Sequence, residues 1–377
     1  MLLFFKRTAI AFSIIAVTIF SCSEKKSSSN TNTTSVDSSG NTITNEKEFK
    51  PSGPKPTWGE NITAPMQVVM EKLASYNNPP LHTLTPQEVR TKPSPATAAN
   101  DVIKEYSIQV PPMNVDTVAR LIPIAGGQIP VRIYTPKTGK DSYPVIVYYH
   151  GGGWVIADLN TYNASAESLS SMVDAIVVSV AYRQGPEFKF PTAHNDSYAA
   201  YEWVIKNAAS IKGDSSRVAV VGESAGGNLA AAVSMMARDK GFKMPLHQVL
   251  IYPIANYDTT SASYEKYAMA KPLDRPLMSW FFKHYLRSST DGKNPMISLV
   301  NANLKGLPST TIIGAEIDPL QSEGKLLDDK LKAAGVSTTY QLYNGVTHEF
   351  FGMAAILPEA KQAQNVVSKA LKQAFSK

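Results

Sequence analysis

The sequence predicts an α/β fold, a mostly parallel central sheet with helices on both faces. Three observations lead there. Short runs rich in β-branched and aromatic residues recur along the chain: "VRIYTP", "VIVYYH", "AIVVSVAY", "RVAVVG", "QVLIYP", "TTIIGA" and "TTYQLYNG". Helical stretches separate them, and such alternation gives parallel strands joined by helical crossovers. Finally, 377 residues with 43% hydrophobic content suffice for one large core and a tail.

The chain begins "MLLFFKRTAIAFSIIAVTIFSC", with Lys6 and Arg7 ahead of an apolar stretch from Thr8 to Phe20. That stretch is short for a bilayer span and reads as a signal peptide. The only cysteine, Cys22, ends it, as in a bacterial lipoprotein signal over residues 1–22. The expectation is lipid on Cys22 and a catalytic domain held at a membrane in an extracytoplasmic space. Phe20 is bulkier than that pattern usually carries, and simple secretion is the alternative. Residues 23–56 are Ser, Thr, Asn and Lys with little to bury, so a flexible tether is expected. The formal charge of +6 comes from 37 basic and 31 acidic residues without a basic block. Nucleic acid is therefore not an expected partner.

The folded domain is expected over 57–377. "PMQVVMEKLASY" sets Met66, Val69, Met70 and Leu73 at helical spacing behind a proline suited to a first turn. A second helical stretch, "PLMSWFFKHYL" from Pro276, is unusually aromatic. No internal repeat is visible.

The chemistry starts at "VGESAGGNLA". "RVAVVG" reads as a buried strand and "GNLAAAVSMMAR" as a helix, so Ser224 falls on the turn between them. Gly-Glu-Ser-Ala-Gly is the G-x-S-x-G elbow, whose strained backbone lifts a serine oxygen clear of a sheet. Gly222 and Gly226 keep side chains out of the bend. Alone, the pattern also describes an ordinary glycine-rich turn.

"YYHGGGW" adds a second element. Its glycines let backbone N–H groups approach a developing oxyanion, and the residue after the nucleophile, Ala225, supplies another donor. A serine also needs a base and an acid that orients it. Among six histidines, His348 in "YNGVTHEFF" lies just beyond a strand and late in the chain. His150 reads as structural, and His82, His194, His247 and His284 as satisfied helical or surface residues. Asp318 in "IIGAEIDPL" follows another strand, at the end where open α/β sheets gather their sites. The order Ser224, Asp318, His348 fits. No histidines and carboxylates share ligand spacing, so neither a metal nor a cofactor is expected.

These residues resemble the hormone-sensitive-lipase-like esterases, bacterial family IV, of the α/β-hydrolase fold-3 family. From about Pro79 onward, "PPLHTLTPQEVR", "HGGGWVIADL", "AYRQGPEFKFPTA", "GESAGGNLAAAV", "MSWFFKHYL", "GLPSTTIIGAEIDPLQSEG" and "GVTHEFF" occur in the family's order. The resemblance implies Ser224 as nucleophile, His348 as general base and acid, and Asp318 as its orienting carboxylate. It also implies an oxyanion hole from the amides of Gly152, Gly153 and Ala225, and a helical cap from about 58–90 and 257–295. The implied activity is hydrolysis of small acyl esters, short to medium in chain length. Amide or peptide hydrolysis on the same site is the nearest alternative. A catalytically dead ligand receptor is a more distant one, because all three triad residues are present.

Several positions depart from the family's usual text. "AYRQGPE" stands for a commoner D-Y-R-L-A-P-E, "ADLNTYN" for G-D-L-D-T-H-D, Ser322 for a frequent acid, and Glu349 for a common glycine. None removes a triad member; pocket shape is what they affect. The Glu349 side chain is expected to point to solvent.

Overall fold

The computed structural model describes residues 48–376, together with the backbone of two two-residue strands, Ser35–Val36 and Thr42–Ile43, which pair antiparallel as a separate unit. The expected signal segment with Cys22 and most of the expected tether lie outside the described residues.

Alternate positions in the predicted strands are apolar on both sides, and both sides are buried. Val145, Val147 and Tyr149 face one core cluster; Ile146 and Tyr148 face another. A strand covered on both faces reads as a continuous apolar run. The strands are β1 (Val115–Ile124), β2 (Gly127–Pro136), β3 (Tyr143–Tyr149), β4 (Ile176–Val180), β5 (Gly213–Glu223), β6 (His247–Ile251), β7 (Ser309–Ile317) and β8 (Thr338–Thr347). They form one eight-stranded sheet in the order β8-β7-β6-β5-β3-β4-β2-β1. β3 through β8 pair in parallel, whereas β2 pairs antiparallel with both β4 and β1.

The helices are α1 (Ala64–Ser75), α2 (Pro86–Val89), α3 (Pro95–Glu105), α4 (Asn163–Val173), α5 (Thr192–Asn207), α6 (Ala225–Asp239), α7 (Ala262–Lys266), α8 (Arg275–Tyr285), α9 (Ser289–Gly292), α10 (Gln321–Ala333) and α11 (Pro358–Phe375). Apolar faces of α5, α6, α8 and α10 pack into one cluster, and those of α1, α3, α4 and α11 into the other. The expected α/β architecture is thus present, with its crossovers on both faces.

Two boundaries differ from expectation. The folded unit begins at Glu48, before the expected start at 57. Glu71 on α1 accepts hydrogen bonds from the amides of Ser52 and Gly53, Gln67 donates to the carbonyl of Gly53, and Phe49 stacks on Tyr106. A polar composition hid these contacts, because they are made by backbone groups and one aromatic ring. β1 was also absent from the predicted strands. Its residues are mostly exposed, Val118 and Leu121 at 58% and 59%, so no buried stripe marks it.

Within 58–90 and 257–295, Met66, Val69 and Met70 of α1 pack with sheet residues. α8 instead reaches the glycine loop: a side chain on Gly153 would meet the Phe281 ring at 2.2 Å. The Trp280 indole donates to the Leu84 carbonyl at 3.0 Å, so the two segments touch.

Candidate active site

β5 ends at Glu223 and α6 starts at Ala225, leaving Ser224 alone in the turn at φ 56°, ψ −117°. That conformation is costly for a residue with a Cβ and persists only where neighbours enforce it. Here they do. The Ser224 amide donates to the Ile251 carbonyl at 2.8 Å, and its carbonyl accepts from Asn228 and Ile254 at 3.1 and 3.2 Å. A Cβ on Gly226 would sit 1.9 Å from the Tyr149 carbonyl oxygen, and one on Gly222 2.0 Å from that of Gly226. Only glycine fits either place.

Although Ser224 holds the N-cap position of α6, its hydroxyl does not cap the helix. It lies instead 2.9 Å from His348 Nε2, while His348 Nδ1 lies 2.6 Å from Asp318 Oδ2. The other Asp318 oxygen accepts from the Leu320 amide at 2.9 Å. A carboxylate on Nδ1 fixes the tautomer with that proton, leaving Nε2 as the acceptor facing the hydroxyl. All three residues are buried. The structure brings together three side chains that lie 30 to 124 positions apart in the chain.

Beside them runs the glycine loop after β3. Gly152 and Gly153 have φ of 98° and 58°, and a Cβ on Gly152 would strike the Ile156 carbonyl at 2.2 Å. The Gly152 carbonyl accepts from Val155 and Ile156, which tightens the turn. Among the described residues none accepts a hydrogen bond from the amides of Gly152, Gly153 or Ala225. Free amides beside the positive end of a long helix suit an anionic oxygen. His150 is structural, as expected: Nδ1 lies 2.8 Å from the Gly151 carbonyl, Tyr182 stacks on its ring, and burial pushes its pKa down to about 4. His194 is also internal, bonded to Tyr285 and Asn228.

One expectation is corrected. Glu349 does not point to solvent. Its backbone is left-handed at φ 71°, which turns the side chain inward until Oε1 lies 3.9 Å from His348 Nε2. The Tyr162 hydroxyl donates to it at 2.5 Å.

The buried acid network was not anticipated. Glu223, the variable residue of the elbow, accepts from the hydroxyls of Tyr148 and Tyr252. Burial, reinforced by Glu349, raises its pKa to about 7. Tyr252 also packs on the His348 ring, with centroids 4.6 Å apart. The signal for this network was an acid just after the apolar run "VAVVG", with tyrosines closing the runs "VIVYY" and "QVLIY" on either side of it in the sheet.

Burial alone would lower the His348 pKa, but Asp318, Glu349 and Glu223 together leave it raised above 6.5. A cavity of about 550 Å³ adjoins the glycine loop through Ile156, with Met70, Leu73, Leu81, Val89 and Leu277 among its apolar walls; no triad residue lines it. No group of three or more metal-ligating side chains occurs among the described residues.

Comparison with known proteins places this geometry in a family. A family model described as alpha/beta hydrolase fold matches residues 146–352. Carboxylesterase NlhH of Mycobacterium tuberculosis is 40% identical over 251 residues, covering 66% of this chain and 79% of that protein. An ethyl acetate hydrolase of Pseudomonas putida is 32% identical over 253 residues, covering 66% and 79%. Among solved structures, a thermostable esterase from Pseudomonas putida superposes with a TM-score of 0.77 at 31% identity, covering 84% of this chain and 98% of its own. An esterase from Pyrobaculum calidifontis gives 0.73 at 34%, covering 82% and 97%. Matched along both its sequence and its sheet, the chain belongs to the α/β-hydrolase fold-3 family, among its hormone-sensitive-lipase-like carboxylic ester hydrolases.

Proposed function

We propose that the protein is a serine carboxylesterase that cleaves short- to medium-chain acyl esters through an acyl-enzyme on Ser224. The observation that carries this reading is the hydrogen-bonded series Asp318–His348–Ser224 beside three unengaged amides. Nε2 of His348 takes the Ser224 proton as Oγ attacks the ester carbonyl. Asp318 stabilises the imidazolium that forms and keeps its own negative charge. The amides of Gly152, Gly153 and Ala225 receive the oxyanion, each such donor being worth about 3 kcal/mol of barrier. The imidazolium then protonates the leaving alkoxide. Water repeats the sequence on the acyl-enzyme and releases the acid.

The chain-length reading takes the cavity that adjoins the glycine loop through Ile156 as the acyl site. Each methylene placed against Met70, Leu73, Leu81 and Leu277 gains about 0.8 kcal/mol, but only while room remains. Nitrophenyl esters of graded acyl length, run beside one acyl anilide, test both substrate class and length. Activity on the esters, with little on the anilide, is expected. Loss of that activity in Ser224→Ala with an unchanged melting temperature is the companion result; full activity in that variant would sink the triad reading.

The N-terminal sequence supports a lipoprotein anchored through Cys22, with the catalytic domain outside the cytoplasm. Cys22→Ser should move the protein from the membrane fraction to the soluble one. An intact protein lacking acyl groups on its mature N-terminus would replace the anchor with plain secretion.

A further inference from the structure

We propose that Glu349 holds the hydrolytic water against His348 Nε2 and thereby favours water over alcohols as the acceptor of the acyl group. The inference deepens the acyl-enzyme reading of Ser224 and rests on it. Three features lead to it. Glu349 Oε1 stands 3.9 Å from Nε2, the nitrogen that also faces Ser224 Oγ at 2.9 Å. Two atoms at that separation are too far apart for a direct hydrogen bond, yet one water about 2.8 Å from each bridges them. The Glu349 side chain is 19% exposed against 4% for that of His348, so it is the more accessible of the two. Its position is fixed. The Tyr162 hydroxyl that donates to it is wedged against the glycine loop, where a Cβ on Gly151 would come within 2.2 Å of that oxygen.

The chemistry of the two half-reactions makes this placement selective. In acylation the oxygen near Nε2 belongs to the ester, carries no proton and offers Glu349 nothing to accept. In deacylation it belongs to water, which has two. One O–H points to Nε2 and is transferred as the oxygen attacks the acyl carbon; the other donates to Glu349. The tetrahedral intermediate then collapses, breaking the bond from carbon to Ser224 Oγ, and the proton on Nε2 passes to Oγ. An alcohol acceptor has a single O–H, spent on Nε2, and gains nothing from the carboxylate. A purely electrostatic role predicts something else. Imidazolium forms in both half-reactions, so a carboxylate that only stabilised it would speed both alike.

The test is the partition of the acyl group between water and methanol, read as the ratio of methyl ester to free acid from a nitrophenyl ester in aqueous methanol. The ratio is read for each variant on the alkaline plateau of its own rate profile. The ratio does not depend on the fraction of active enzyme. Glu349→Ala is expected to raise it about tenfold, the worth of one hydrogen bond to a charged group. Stopped-flow acylation should slow much less than deacylation, and Glu349→Gln, which keeps an acceptor oxygen without the charge, should fall between wild type and Glu349→Ala. An unchanged ratio in Glu349→Ala, or equal slowing of acylation and deacylation, would overturn the proposal while leaving the acyl-enzyme intact. Absence of methyl ester at high methanol from wild type and Glu349→Ala alike would count against the acyl-enzyme reading instead.

Discussion

His348 is faced by acids from three directions: Asp318 after β7, Glu223 at the end of β5, and Glu349 beside it, with Tyr252 packed on its ring and Tyr162 holding Glu349. Burial disfavours its charged form, and the carboxylates outweigh burial. In the proposed role of base it must be neutral, so kcat/KM should rise with pH through an inflection above 6.5. Replacing Glu349 by Gln removes one carboxylate and should move that inflection to lower pH, which a kcat/KM profile between pH 5 and 9 would show. A flat profile, or an inflection moved upward, contradicts the assignment. At this scale the hydrogen-bonded series Asp318–His348–Ser224 was legible because each member follows a strand or sits in a fixed motif. The direction of Glu349 was not, because a left-handed φ cannot be read from "THEFF".

The elbow joining β5 to α6 is the element on which the site depends. Its glycines were readable as spacing; the contact that demands Gly222 lies within the elbow, at Gly226, whereas the one that demands Gly226 comes from β3, far away in sequence. Gly226→Ala would drive a methyl carbon to within 1.9 Å of the Tyr149 carbonyl, which belongs to the backbone and cannot rotate away. The variant should lose at least about 2 kcal/mol of stability and most of its activity, read by thermal melting and ester turnover. α8 makes a different contribution. Its sequence reads as an unusually aromatic helix, and the structure shows where the aromatics pack: Phe281 on Gly153, and Tyr285 stacked on Trp154 with centroids 4.9 Å apart. Phe281→Ala should cost about 3 kcal/mol and loosen the glycine loop, lowering kcat more than Ser224 reactivity toward small phosphonates would suggest. β1 escaped prediction for the opposite reason: an edge strand with little to bury carries little pattern.

Across the whole molecule, the apolar segments outside the sheet divide their surface between core and cavity. α1 gives Met66 and Val69 to the core, and Met70 and Leu73 also or instead reach the cavity wall. Rates should therefore climb with acyl length to about eight carbons and fall beyond. Emulsified long-chain triglycerides should be poor substrates, and rapid release of fatty acid from them would point to an open, interfacial site. The parallel core and its order of motifs were legible because apolar runs and glycine spacing are local signals. Glu48–Pro56 joined the folded unit through backbone contacts that composition does not record. In the proposed reaction Ser224 becomes covalently acylated. Mass spectrometry of the protein treated with a reactive alkyl phosphonate measures it most directly. One adduct per chain, on the peptide containing Ser224, appearing in step with loss of esterase activity and absent from Ser224→Ala, is the predicted result. An adduct on another residue, or inactivation that proceeds equally in Ser224→Ala, would contradict it.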